Sequence, residues 1–374
     1  AEMPVNLDLL PVSQAQDPEP PAAQVLQVAE LISAARHPMI LAGNGVVRSG
    51  ASTQLAEFAE KLNIPVANTF MAKGVIPFKH RCALGSAGLQ ANDYVSCGFD
   101  KADVIICVGY DLVEYHPYLW HPERNRTIIH IDYSPAETDA HYPVAVGVIG
   151  DIKHSLDRIA QLTTPHQGAH VRPLRERLVL EMDQHRDDLE YPVKPQKIIW
   201  DLRTALNLED IVVCDVGAHK MWMARMFRCE YPNTCIISNG FASMGIAVPG
   251  AIAAKLVYPQ RHVVAVTGDA GFMMNSQEIE TAMRCKLPIV ILIWNDSSYG
   301  LIEWKQMNQF QRSSNVHFTN PDFVAYAESF GAKGYRVERT ADLPTILEEA
   351  LANDTVSIID CPVDYRENIK LTDQ

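Results

Sequence analysis

From about residue 22 onward, apolar runs of strand length alternate with amphipathic stretches of helix length, and this rhythm narrows the possible folds more than any other feature. Runs at Met39–Leu41, Val66–Thr69, Val104–Val108, Thr127–Ile131 and Val144–Val148 read as strands, separated by helical stretches near 22–36, 51–62 and 88–99. A second series follows at Ile211–Cys214, Thr234–Ser238, His262–Val266, Ile289–Trp294, Lys333–Val337 and Val356–Asp360. Alternation of this kind predicts an α/β chain with two doubly wound parallel-sheet domains. Between the series, Thr163-Thr164-Pro165 opens and Tyr191-Pro192-Val193-Lys194-Pro195 closes a charged, helix-like stretch that reads as an interdomain connection. The expected organisation is a tether over 1–21, a first domain over 22–162, a linker over 163–195 and a second domain over 196–374.

A net charge of −13 disfavours a nucleic-acid or anionic-membrane partner, and small-molecule chemistry suits it better. The apolar runs fall far short of a membrane span, so no membrane association is expected. Eight cysteines include no C-x-x-C pair, and several sit inside apolar runs. Buried reduced thiols explain them, which points to the cytoplasm.

The sharpest motif starts where the strand pattern His262 to Thr267 runs into Gly268-Asp269-Ala270-Gly271, followed by a helix-like stretch over 276–284. Small residues at 268, 270 and 271 let the backbone approach an anion, and a diphosphate fits there. A carboxylate at 269 would repel that anion unless a cation lies between, so Asp269 implies a metal, with magnesium the expected ion. The next strand ends at Asn295-Asp296, 27 residues further on, and Asp296 can converge on the same ion at the carboxyl edge of the sheet.

Gly268-Asp269-Ala270-Gly271 followed by Asn295-Asp296 resembles the signature of thiamine-diphosphate enzymes. Ile106-Cys107-Val108-Gly109-Tyr110, Ile237-Ser238-Asn239-Gly240, Tyr326-Ala327-Glu328-Ser329-Phe330-Gly331 and Pro362-Val363-Asp364-Tyr365 extend the likeness to the catabolic acetolactate synthases. The resemblance implies magnesium held by Asp269, Asp296 and the carbonyl of Ser298, and a diphosphate touched by Ala218 and His219. It puts Met244 beneath the cofactor, with Ala242, Ser243 and Met244 against its aminopyrimidine, and Tyr299 and Gly300 in the metal loop. Leu301, Ile302 and Lys305 would line the substrate cavity, where the family usually carries Gln at the place of Lys305. By the same likeness the first domain is the family's middle domain, without FAD. The activity implied is condensation of two pyruvate to 2-acetolactate and carbon dioxide by a homodimer or homotetramer. In the family a Glu from an amino-terminal domain completes the site; no segment here matches that domain, and the chain alone is expected to be inactive.

Other readings remain open on the residues themselves. Asp269 and Asp296 also suit loop caps, Met244 a core position, His219 a helix cap and Lys305 a solvated surface. Leu41-Ala42-Gly43-Asn44-Gly45 suits a tight turn better than a dinucleotide fingerprint, because Arg48 stands at the third glycine position. The competing functions are another thiamine-diphosphate-dependent 2-oxo-acid decarboxylase or carboligase, and a non-catalytic nucleotide-binding scaffold.

Overall fold

A computed structural model describes residues 18–88, 94–137, 139–167 and 172–371. Most of the expected tether and the start of the helix expected near 88 lie outside the described residues.

Two six-stranded parallel sheets carry the fold. The first contains β1 (Pro38–Ala42), β2 (Val66–Asn68), β3 (Ala83–Ser86), β4 (Val104–Val108), β5 (Thr127–Asp132) and β6 (Val144–Ile149), in the order β3-β2-β1-β4-β5-β6. The second contains β7 (Ile211–Cys214), β8 (Cys235–Ile237), β9 (Val263–Gly268), β10 (Val290–Asn295), β11 (Lys333–Arg336) and β12 (Ser357–Pro362), in the order β11-β12-β10-β9-β7-β8. Every position of β1 and β4 is buried, which is why these segments read as continuous apolar runs rather than alternating ones.

Helices supply the cover. Ser52–Leu62 buries Leu55, Phe58, Ala59 and Leu62, a spacing of three and four that lines one helical face, and it stops at Asn63 in the left-handed conformation. Ile152–Leu162 starts on Asp151, whose carboxylate accepts the His154 N–H at 2.8 Å, and buries Ile152, Leu156 and Ile159. Loss of that cap costs about 1 kcal/mol.

Three local features go beyond those expectations. β3 was not anticipated, because it is a four-residue strand at the sheet edge, interrupted by Gly85, and carries too little apolar pattern to register. The helix expected over 276–284 is preceded by another, Asp269–Met274, that begins directly at the end of β9. The stretch expected as a linker is packed: its helix Arg172–Gln184 buries Leu178 and Met182, Arg175 donates to the carbonyls of Phe78 and Ala83, and Glu181 pairs with Arg225 at 2.8 Å.

Both sheets reverse their winding, the first between β1 and β4 and the second between β7 and β9, which opens a crevice at the carboxyl ends of those strands. Segments between the sheets bring the two edges together. Lys73 donates to the Ala224 carbonyl at 2.6 Å, and Asn239 donates to the Glu114 carbonyl at 2.6 Å. All eight cysteines are free, with Cys107, Cys214 and Cys361 fully buried in strands. Among the described residues no helix is long and apolar enough to cross a membrane.

Candidate cofactor and metal site

At the β7/β9 reversal, three strand ends meet around a cleft of about 100 Å³. β7 contributes Val216, Gly217, Ala218 and His219; β9 contributes Gly268, Asp269, Ala270 and Gly271; β10 contributes Asp296, Ser298, Tyr299, Gly300, Leu301 and Ile302. Met244 and Tyr365 close the remaining sides. Most of the positions singled out in the sequence therefore share one cleft. Ala242, Ser243 and Lys305 do not line it.

Asp269 is fully buried and tightly held. One of its oxygens accepts the Ala270 N–H at 2.8 Å, and the other accepts the Ser297 N–H and the Asn320 side-chain amide, each at 2.7 Å. The Asp296 N–H also reaches this carboxylate, so the two acids sit on interlocked loops. Ser297 takes the left-handed conformation (φ 52°), which turns the chain tightly between Asp296 and Ser298. A Cβ at Gly300 would lie 2.7 Å from an Asp296 oxygen, so a side chain there would push the Asp296 carboxylate aside.

The electrostatics follow from crowding two acids. Burial, then the charge of Asp269, pushes the Asp296 carboxyl up to about 8, and burial also raises Asp269 against its hydrogen bonds. A divalent cation between them would relieve both effects. Among the described residues no three His, Cys, Asp or Glu side chains form a metal cage, and a two-carboxylate site is the kind magnesium occupies together with phosphate oxygens.

His219 presents a second unfilled demand. Its Nε2 is buried without a hydrogen-bond partner, and burial drives the imidazole down to about 3, so the ring is neutral. A hydrogen-bonding group in the cleft would satisfy that nitrogen. The donor set and the orphaned nitrogen thus fit a metal-bound diphosphate.

Two supporting residues escaped the sequence reasoning. Asn320 holds Asp269 and also donates to Asn295 at 2.9 Å; it lies in a loop with no motif of its own. Asp215, fully buried, accepts the N–H groups of Val216, Gly245 and Ala247, pinning the loop that carries Met244. A lone acid directly after the apolar strand β7 was the available signal.

Comparison with known proteins agrees with this geometry. Residues 25–159 match the thiamine pyrophosphate enzyme central domain, and residues 215–361 match the C-terminal TPP-binding domain of the same enzymes; thiamine pyrophosphate and thiamine diphosphate are one compound. Acetolactate synthase of Bacillus subtilis (strain 168) is 37% identical over 91% of this chain and 61% of its own length. A probable acetolactate synthase large subunit of Methanocaldococcus jannaschii is 34% identical over 93% of the chain and 61% of its own length. Catabolic acetolactate synthase of Raoultella terrigena is 34% identical over 99% of the chain and 68% of its own length. The chain spans about three-fifths of the length of the first two relatives. With these matches and the cleft at the β7/β9 reversal, the chain belongs to the thiamine pyrophosphate enzymes, among the relatives of acetolactate synthase.

Proposed function

We propose that this chain holds magnesium and thiamine diphosphate and serves an acetolactate synthase, which joins two pyruvate molecules into 2-acetolactate with release of carbon dioxide. The observation that carries this reading is the pair of interlocked acids, Asp269 and Asp296, at the tips of adjacent strands beside the unpartnered Nε2 of His219.

In this reading Asp269, Asp296 and the Ser298 carbonyl hold the metal. Gly268, Ala270 and Gly271 let the backbone approach the diphosphate, which His219 and Ala218 contact. Met244, with Ala242 and Ser243, would hold the cofactor's organic part, and Asp215 keeps that loop in place. Tyr299 and Gly300 shape the metal loop, and Leu301 and Ile302 form an apolar wall that excludes water from the reacting carbon. The bound cofactor supplies the electron sink for decarboxylation, and the protein supplies orientation and electrostatics. Residues 22–162 act as the central domain, 163–195 as the connection and 196–374 as the cofactor domain. A homo-oligomer, with a carboxylic acid contributed from an amino-terminal domain, completes the site.

The test is product analysis with pyruvate as sole substrate and the full-length protein loaded with magnesium and thiamine diphosphate. Accumulation of 2-acetolactate is expected. Acetaldehyde without acetolactate would make the protein a decarboxylase instead.

A further inference from the structure

The loop that carries Met244 is fastened at its two ends and lightly packed between them. Gly240 to Met244 includes no buried residue; the Phe241 side chain is fully exposed, and a Cβ at Gly240 would meet no atom within 4 Å. Ala242 nevertheless holds a left-handed conformation (φ 49°), which a residue with a side chain keeps only when its surroundings impose it. The Asp215 carboxylate fixes the downstream end at Gly245 and Ala247. The upstream end leaves β8, a three-residue edge strand paired with β7, so the sheet itself gives it little hold.

Asn239 supplies that hold from outside the sheet. Its Nδ2 donates to the Glu114 carbonyl of the first domain at 2.6 Å, and its Oδ1 accepts from the Lys220 ammonium at 2.9 Å. Together the two bonds admit one orientation of the amide, because turning it over would set its NH2 against the ammonium and its oxygen against the carbonyl. Both partners are themselves fixed. Lys220 is buried on the helix Ala218–Met226, directly after His219. Glu114 is buried as well, and its carboxylate accepts the Asn44 N–H and the Thr69 hydroxyl. Asn239 therefore joins the first domain on one side and the helix of His219 on the other, immediately before the loop begins.

We propose that Asn239 is a positioning residue for the cofactor: it docks the upstream end of the Met244 loop on the first domain, so that the Glu114 carbonyl sets where Met244 stands in the cleft. The proposal rests on the function proposed above in taking the cleft as a cofactor site, whereas the anchoring of the loop is a separate claim. Asn239 and Lys220 are not among the residues that line the cleft, and they act through Met244 and the loop backbone. Without the anchor Ala242 is free to leave its left-handed conformation. The cofactor must then order the loop as it binds, which lowers its affinity.

The experiment uses the full-length protein and the variants Asn239→Ala, Asn239→Asp and Lys220→Met. Hydrogen exchange of the segment 239–247 is followed by mass spectrometry without cofactor, and calorimetry gives the affinity for thiamine diphosphate at saturating magnesium. Asn239→Ala should speed exchange of that segment about tenfold while β7 and β9 keep the parent's protection, and should weaken cofactor binding about 2- to 10-fold, as loss of a neutral hydrogen bond does. Asn239→Asp keeps an acceptor for Lys220 but has no donor for the Glu114 carbonyl, and should match Asn239→Ala. Lys220→Met leaves that donor in place and should have the smaller effect. Asn239 is half-buried, so its variants report even where Lys220→Met does not fold. Parent-like exchange in Asn239→Ala would overturn the proposal, as would parent-like behaviour of Asn239→Asp, which would make Lys220 the anchor in place of the first domain. Faster exchange with an unchanged cofactor affinity would equally overturn it, because a loop released without consequence does not position the cofactor. A parent that binds no thiamine diphosphate would instead sink the proposed function, and the exchange measurement would still decide whether Asn239 holds the loop.

Discussion

The two sheets solve the same topological situation with opposite electrostatics. Both open a crevice where the winding reverses, and both place short glycine-containing loops there. In the first sheet the crevice, about 850 Å³, is the larger, and Gly109 (φ 59°) packs so closely that a Cβ would lie 2.4 Å from the Val46 nitrogen. Yet the first N–H of the helix Asn44–Arg48 is already taken: the buried Glu114 carboxylate accepts it through both oxygens, at 3.0 and 2.9 Å, and accepts the Thr69 hydroxyl at 2.5 Å. An internal carboxylate thus stands where an anion would otherwise bind. The second sheet does the reverse, crowding two acids and leaving His219 Nε2 unpartnered. Cleft size is therefore a poor guide to the chemistry; what matters is whether the polar groups at the reversal are satisfied from within. The scaffold reading, which relies on Gly43-Asn44-Gly45, loses its anion position on this account.

Four measurements put this contrast to the test. The largest effect should come from Asp269→Ala, which removes one of the two metal-binding carboxylates. Magnesium-dependent binding of thiamine diphosphate, followed by calorimetry, should fall by about a thousandfold or more, as loss of a buried charged partner does. Retention of binding would show that the acids do not grip the ion.

Next is the pH dependence. Asp296 is raised from its ordinary 3.8 to about 8, so below that pH it must give up a proton to take a metal. Magnesium affinity should climb by up to about tenfold per pH unit toward 8 and then level off, and Asp296→Asn should flatten the profile. The metal-free protein should behave in the opposite sense. Because the folded-state value is the raised one, this group favours folding most at low pH, and the contribution is lost as pH rises through the window from about 4 to 8. Melting curves at pH 6 and pH 8, with and without magnesium, check both signs.

A smaller effect is expected in the first sheet. Glu114→Ala leaves the Asn44 N–H and the Thr69 hydroxyl without their acceptor and should destabilise the fold by about 1–3 kcal/mol, read from urea unfolding. Inorganic phosphate should partly restore stability by entering the vacated position. No stabilisation would mean that the crevice is not anion-like even when opened.

The smallest is Asn320→Ala. It removes a neutral donor from Asp269 while the Ala270 and Ser297 N–H groups remain, so cofactor affinity should fall by only about tenfold or less. A loss as large as that of Asp269→Ala would make Asn320 part of the ligand set.

The periodicity of buried strands and the residues at their carboxyl ends were legible in the amino-acid order, because strand burial on both faces writes an unbroken apolar run and a loop's chemistry lies within a few residues of the strand it ends. That was enough for the α/β class and to single out Asp269, Asp296, His219 and Met244, which the fold brings to one cleft. What pairs across long stretches of chain left no local trace. Asn320 reaches Asp269 from 51 residues away, and Glu114 reaches Asn44 from 70. The packing of the connecting helix and the meeting of Lys220 with Asn239 are likewise products of how the two sheets dock. Only the tertiary structure decides such matters, since whether a buried polar group is satisfied depends on which distant donor the folded chain brings within hydrogen-bond reach.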